Sequence, residues 1–194
     1  MELSLKSIMS TIAMVIYSVA GGVLYSTLQE TRESNTEPPQ IVQIIEVVNQ
    51  IEYVEEEVLD GMTLTELSEL LNRSLKHELY GKGQLIAELS IEKGVCPYIA
   101  VAIILHETGC FSNSCSRAVR YCNNVGGNKS RNRECGSFRG FDTIDDGIYF
   151  FINNLAVGYF ERGLNTPELI NTRYATSQAW AGKIHHFVER VKTA

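Results

Sequence analysis

The stretch PYIAVAIILHE, Pro97 to Glu107, constrains the fold more than any other part of the chain. It opens on proline, which suits the first turn of a helix because the N–H it lacks would have no partner there. It then runs through Ile99, Val101, Ile103, Ile104 and Leu105 without a polar face until His106-Glu107. A helix that is apolar all round has to be wrapped by other elements. This one is expected at the centre of the domain, delivering Glu107 at its C-terminal end.

Elements able to wrap it are legible on both sides. Thr63-Leu64-Thr65-Glu66 offers an N-cap with an acid three residues on, and it opens LTELSELLNRSL, whose Leu64, Leu67, Leu70, Leu71 and Leu75 repeat with helical period. After Gly81-Lys82-Gly83 the segment GQLIAELSIEKG sets Leu85, Ile86 and Leu89 on one face and stops at Gly94. Downstream, FDTIDDGIYFFINNLAVGYF reads as an apolar helix capped by Asp142 or Thr143, with Asp145 and Asp146 favoured in its first turn by the helix dipole. A short helix TPELINT, a loop at residues 173–176 and a closing amphipathic helix SQAWAGKIHHFVERV complete the series. In that last helix Trp180 is read as core, and His185 and His186, being adjacent, cannot act as ligands at i, i+4. Between Cys110 and Gly140 the helical period is lost, and Gly, Ser, Asn and Arg predominate, which predicts a loop or short hairpin. Asp60-Gly61 marks where this domain begins. The fold class expected is mainly α with a short loop or β-hairpin lobe.

Ahead of it, Ile8 to Leu28 carries no charge over 21 residues, about 30 Å as a helix and enough to cross a hydrocarbon core. Ser18-Val19-Ala20 resembles a signal-peptide cleavage site, but apolar character continues through Val23, Leu24 and Tyr25, which favours an uncleaved transmembrane anchor. Residues 30–60 hold nine acids against Arg32 alone. Within them Ile44, Val48, Ile51 and Val58 fall at coiled-coil spacing, interrupted by Glu55. Self-association through residues 41–58 and a semi-extended acidic spacer both fit. The expected division is an anchor at 1–29, an acidic connector at 30–61 and a folded domain at 62–194.

The net charge of −6 therefore misdescribes the domain, since residues 62–194 carry 13 acids and 15 bases. Arg117, Arg120, Lys129, Arg131, Arg133 and Arg139 face one acid, Glu134, over 23 residues. Such a loop is either ordinary solvated surface or a patch for an anionic polymer. The five cysteines, Cys96, Cys110, Cys115, Cys122 and Cys135, contain no Cys-x-x-Cys pair, so disulfides across the irregular region are expected rather than zinc, with Cys96 left over. Disulfides place the domain outside the cytoplasm. The anchor and the cysteines also argue against a nucleic-acid partner.

A carboxyl at the end of an apolar helix meets the negative pole of the macrodipole and a low-dielectric surround, both of which raise its pKa. An acid still protonated near neutral pH is what cleavage of a glycosidic bond requires. Periodicity alone nevertheless favours the plainer reading of Glu107 as a surface carboxylate.

Four blocks alter that balance: LYGKGQLIAELSIEKGVCPYIAVAIILHETG, NNVGG, SFRGFDTIDDGIYFFINNLAVGYF and RYATSQAWAGKI. In order and spacing they resemble the glucosaminidase-type peptidoglycan hydrolases of the lysozyme-like superfamily, over about residues 62–192. The resemblance implies a lysozyme-like helical domain acting on peptidoglycan glycan strands, with no cofactor or metal. It makes Glu107 the general acid. Asn123, Asn124, Gly126 and Gly127 become the turn that shapes the glycan cleft, and Tyr174 and Ala175 the lining of the catalytic subsite. Packing against Trp180 is an equally natural role for Tyr174. Family members often carry a second carboxylate beyond the turn, for which Glu134 is the candidate. The cysteine cluster departs from the family pattern. A lytic transglycosylase of the same superfamily is a close alternative, although its Ser-x-x-Gly-x-x-Gly-x-Met-Gln block is missing. A non-catalytic wall-binding module is the other.

Overall fold

A computed structural model describes residues 56–130 and 135–194. The proposed anchor, nearly all of the acidic connector and Glu134 lie outside the described residues. Among those described, no helix is long and apolar enough to cross a membrane.

The described residues fold as one mainly helical unit. Strands β1 (Glu57–Leu59) and β2 (Met62–Thr63) pair antiparallel. Asp60 and Gly61, at φ 51° and 76°, form the turn between them, as an Asp-Gly pair does in a tight hairpin. The folded unit therefore includes residues ahead of the dipeptide that reads as a domain boundary in the sequence. Helix α1 (Leu64–Ser74) follows, with Thr63 accepting from the Glu66 N–H at 3.3 Å and donating its own N–H to Glu66 Oε2 at 2.9 Å. This is the reciprocal cap anticipated from the spacing.

Helix α2 (Gly83–Glu92) packs on α1, and α3 (Pro97–Thr108) is the central element. Ten residues of α3 are buried, and Ala100 to Leu105 are wholly so. Each large apolar side chain enclosed in this way stabilises the fold by about 1.5–3 kcal/mol. Helix α7 (Trp180–Lys192) lies along one side of α3, contributing Ile184, Phe187 and Val191, while α2 covers another. Tyr98 ties the hairpin turn to α3. Burial, with the nearby Asp60 carboxylate, pushes its phenol up to about 12.

Two expectations need correction. The region from Cys110 to Gly140 is not all loop: α4 (Arg117–Cys122) lies within it, burying Ala118, Val119 and Cys122. At six residues it is too short to show a period in sequence. Helix α6 (Pro167–Tyr174) runs on through Arg173 and Tyr174, which the sequence placed in a loop, so Tyr174 is held on the last turn of a helix. Between them α5 (Ile144–Gly158) starts from Thr143 rather than Asp142, with Asp146 closing the cap. The lobe after α4 has only isolated antiparallel bridges among the described residues, from Lys129 and Cys135 to Phe138.

Candidate active site

Glu107 stands on the last turn of α3, half-buried. Gly109 ends the helix in the left-handed conformation, its N–H bonded to the Leu105 carbonyl at 3.0 Å. Thr108, beside Glu107, is buried and donates its hydroxyl to the Ile104 carbonyl at 2.6 Å. The chain then folds back over the helix end, where Ser116 N–H meets the Thr108 carbonyl at 2.7 Å. A Cys110–Cys115 disulfide closes the excursion. The acid is thus fixed by a rigid helix on one side and a stapled loop on the other.

That loop leads through α4 to the Asn-Asn-Val-Gly-Gly turn. Asn123 adopts φ 53°, and its amide donates to the carbonyls of Phe141 at 2.9 Å and Asp142 at 3.1 Å. Asn124 is wholly buried, donating to the carbonyls of Asn128 and Arg139 at 2.8 Å each and accepting from the Asn128 N–H at 3.0 Å. Both amides therefore brace the turn against the segment entering α5. A second disulfide, Cys122–Cys135, crosses the base of the lobe. As the spacing suggested, four cysteines pair and Cys96 remains free.

The turn passes directly in front of the acid. A Cβ on Gly127 would sit 3.1 Å from Glu107 Oε2. Gly126 lies so close to Phe151 of α5 that a Cβ would come within 2.5 Å of its ring. The second glycine thus opens space for the carboxyl while the first lets the turn seat on the core.

A cluster of aromatic side chains from the last helices feels the charge of the acid. Tyr174 stacks on Trp180 at 4.8 Å between ring centroids and meets Tyr159 at 5.8 Å. Ala175, the residue after α6, packs partly buried against the core. Burial raises the Glu107 pKa, opposed by the indole N–H of Trp180. That N–H is buried and has no partner at full hydrogen-bond geometry.

Burial, then the charge of Glu107, then Tyr159 hold the Tyr174 phenol far above its ordinary value. It stays a protonated donor at any physiological pH. Burial and Lys183 lower the pKa of His106, which keeps its ring neutral near pH 7. The arrangement can give a proton from Glu107, with a neutral hydroxyl beside it.

Glu107, Gly127 and Tyr174 thus come together, with Asn123, Asn124, Gly126 and Ala175 as the frame. Glu134 lies outside the described residues. Asp145 and Asp146 are engaged elsewhere, Asp145 with Lys82 at 2.6 Å and Asp146 in the α5 cap. Sequence reasoning read Trp180 as core and did not connect it with the acid, on whose pKa it acts. A shallow depression of about 320 Å³, lined by Arg139, Phe141 and Asp142 among others, contains none of these site residues. Glu78 lies near Cys110 and Cys115 in a metal-like grouping, but sulfurs joined in a disulfide are not thiolate ligands. No family model matches the chain, and no curated protein matches it.

Proposed function

We propose that the domain is a peptidoglycan hydrolase of lysozyme-like type, cleaving the β-1,4 bond on the reducing side of N-acetylglucosamine. Glu107 is the general acid, and the chain works outside the cytoplasm, tethered by its N-terminal segment. One observation carries this reading: a carboxyl whose pKa is raised by burial stands at the end of a buried helix, faced by Gly127 and Tyr174.

In this mechanism Glu107 protonates the glycosidic oxygen as the C–O bond breaks and the electron pair passes to that oxygen. In this reading the Tyr174 hydroxyl, held protonated by burial, donates to the sugar at the reacting end. A single acid suffices where the substrate's own 2-acetamido oxygen attacks the anomeric carbon, with the sugar held in place by the cleft.

That lone acid also suits a lytic transglycosylase, in which one glutamate serves as acid and then base. Mass spectrometry of digested cell wall separates the two. Glycans ending in reducing N-acetylglucosamine support the hydrolase, anhydro-muramyl ends indicate the transglycosylase, and an undigested wall would leave only a binding module.

A further inference from the structure

We propose that the depression beside Arg139 binds a zwitterionic amino-acid group on the peptide branches of the glycan, Arg139 taking its carboxylate and Asp142 its ammonium. The identity of the ligand rests on the reading of the domain as a peptidoglycan hydrolase, but the depression can be tested without any cleavage.

The depression, about 320 Å³, is lined by Arg139, Gly140, Phe141, Asp142 and Asp146. Its charge is mixed. Arg139 is exposed and, among the described residues, forms no ion pair with either carboxylate. Its guanidinium lies instead over aromatic rings, 4.4 Å from the centroid of Phe150 and 6.0 Å from that of Phe141, and those rings meet at 5.2 Å. Stacking on a ring holds the guanidinium plane and leaves its edge of N–H donors open. That edge can grip a carboxylate through two parallel bonds.

The two acids differ in what they already hold. Asp146 closes the α5 cap, its carboxylate accepting from the Thr143 N–H at 3.1 Å and from the Thr143 hydroxyl at 2.6 Å. Asp142 is exposed, and among the described residues only its backbone carbonyl has a partner, the Asn123 amide. An uncommitted guanidinium and an uncommitted carboxylate therefore border one small concavity, with the Phe141 ring beside them. A purely anionic ligand would be repelled by Asp142, and a purely cationic one by Arg139. A group bearing both charges satisfies the two.

The depression is also tied to the candidate active site. Arg139 N–H donates to the Asn128 carbonyl at 2.9 Å, and the Asn124 amide donates to the Arg139 carbonyl at 2.8 Å. The Asn123 amide holds the carbonyls of Phe141 and Asp142. Residues 139–142 are thus laced to the turn whose Gly127 faces Glu107. A glycan lying along that turn, with one bond at Glu107, brings a neighbouring peptide branch to the depression. Such branches include a diamino acid, which in many walls presents an ammonium and a carboxylate on the same carbon.

The test is co-sedimentation of the full chain, in detergent micelles and carrying Glu107→Gln so that the wall is not cleared, with purified cell wall of that kind. The wall is used intact, stripped of peptide by an amidase, N-acetylated at its amines, or amidated at its carboxylates. Stripping and either blocking step should each weaken binding by about fivefold, the scale of a well-oriented exposed ion pair. Arg139→Gln should lose the same factor on intact wall and become indifferent to carboxylate blocking, and Asp142→Asn should become indifferent to N-acetylation. Circular dichroism checks that both variants fold; if Arg139→Gln does not, Asp142→Asn on intact and N-acetylated wall decides. Equal binding to intact and stripped wall overturns the proposal, as does binding that N-acetylation strengthens, the mark of a plain anion patch, or variants that respond to blocking as the parent chain does. Peptide-dependent binding by a chain that, with Glu107 restored, cleaves no glycan would retain the depression and discard the proposed hydrolase. Cleavage without peptide-dependent binding would discard the depression alone.

Discussion

Gly127→Ala tests whether the turn places the acid. Gly127 has φ 63°, and an added Cβ would meet Glu107 Oε2 at 3.1 Å, so that the carboxyl must give by a few tenths of an ångström. Gly94, at φ 64°, has nothing within 4 Å of the same position, which makes Gly94→Ala the control for backbone strain alone. Forcing an L residue into the left-handed region costs about 1–2 kcal/mol, and the stiffer unfolded chain returns about 0.4–1 kcal/mol. Each variant should therefore lose roughly 1 kcal/mol, or about 3–5 °C in Tm for a domain of this size. The carboxyl is the movable end of a side chain, so yielding adds little to the stability cost at Gly127. It does move the acid, and since a 1 Å misplacement can cost about 100-fold, a shift of a few tenths should lower kcat by about tenfold. Circular dichroism melts and the clearing of purified cell-wall suspensions read the two quantities. Matching melts with a tenfold difference in kcat are expected. Equal activity in the two variants would refute the argument that Gly127 positions Glu107.

Asn124→Ala deletes the three part-buried hydrogen bonds of a wholly buried side chain and should cost about 3 kcal/mol at roughly 1 kcal/mol each, read as a lower urea midpoint. Replacing Cys122 and Cys135 together by serine opens a loop spanning 13 residues of separation and should cost about 3 kcal/mol, while a non-reducing mass map of the wild type should return Cys110–Cys115 and Cys122–Cys135 with Cys96 alone alkylatable. The raised pKa of Glu107 means that the folded state binds its proton more tightly than the unfolded state. Its contribution is therefore most favourable below the unfolded carboxyl pKa and is lost as pH rises through the folded value. Glu107→Gln should accordingly melt above the wild type at pH 7 and converge with it near pH 4; a lower melt at pH 7 would count against the burial of that carboxyl.

The parts legible in sequence were those fixed by local chemistry. Pro97 followed by an unbroken apolar run dictates a buried helix, and the Thr63–Glu66 spacing carries its own cap, while at α5 the sequence narrowed the cap to Asp142 or Thr143. Where local signals were short or conflicting the reading fell short. Helix α4 turns fewer than two times and owes its place to buried Ala118 and Val119 and to the staple at Cys122. The Asp60-Gly61 hairpin was masked by the acidic residues before it, which made the segment look like connector. At the site, the glutamate could be placed from its position on α3. The glycine contact and the indole could not, because they depend on segments about 20 and 73 residues away meeting across the core.

The most direct test is Glu107→Gln in a wall-clearing assay. The substitution keeps the side chain's shape and removes the proton that the mechanism uses. A general acid contributes about 10²–10⁴-fold, so clearance should fall by that factor while the melt at pH 7 rises. Clearance by Glu107→Gln at the wild-type rate would contradict the assignment of Glu107 as the acid.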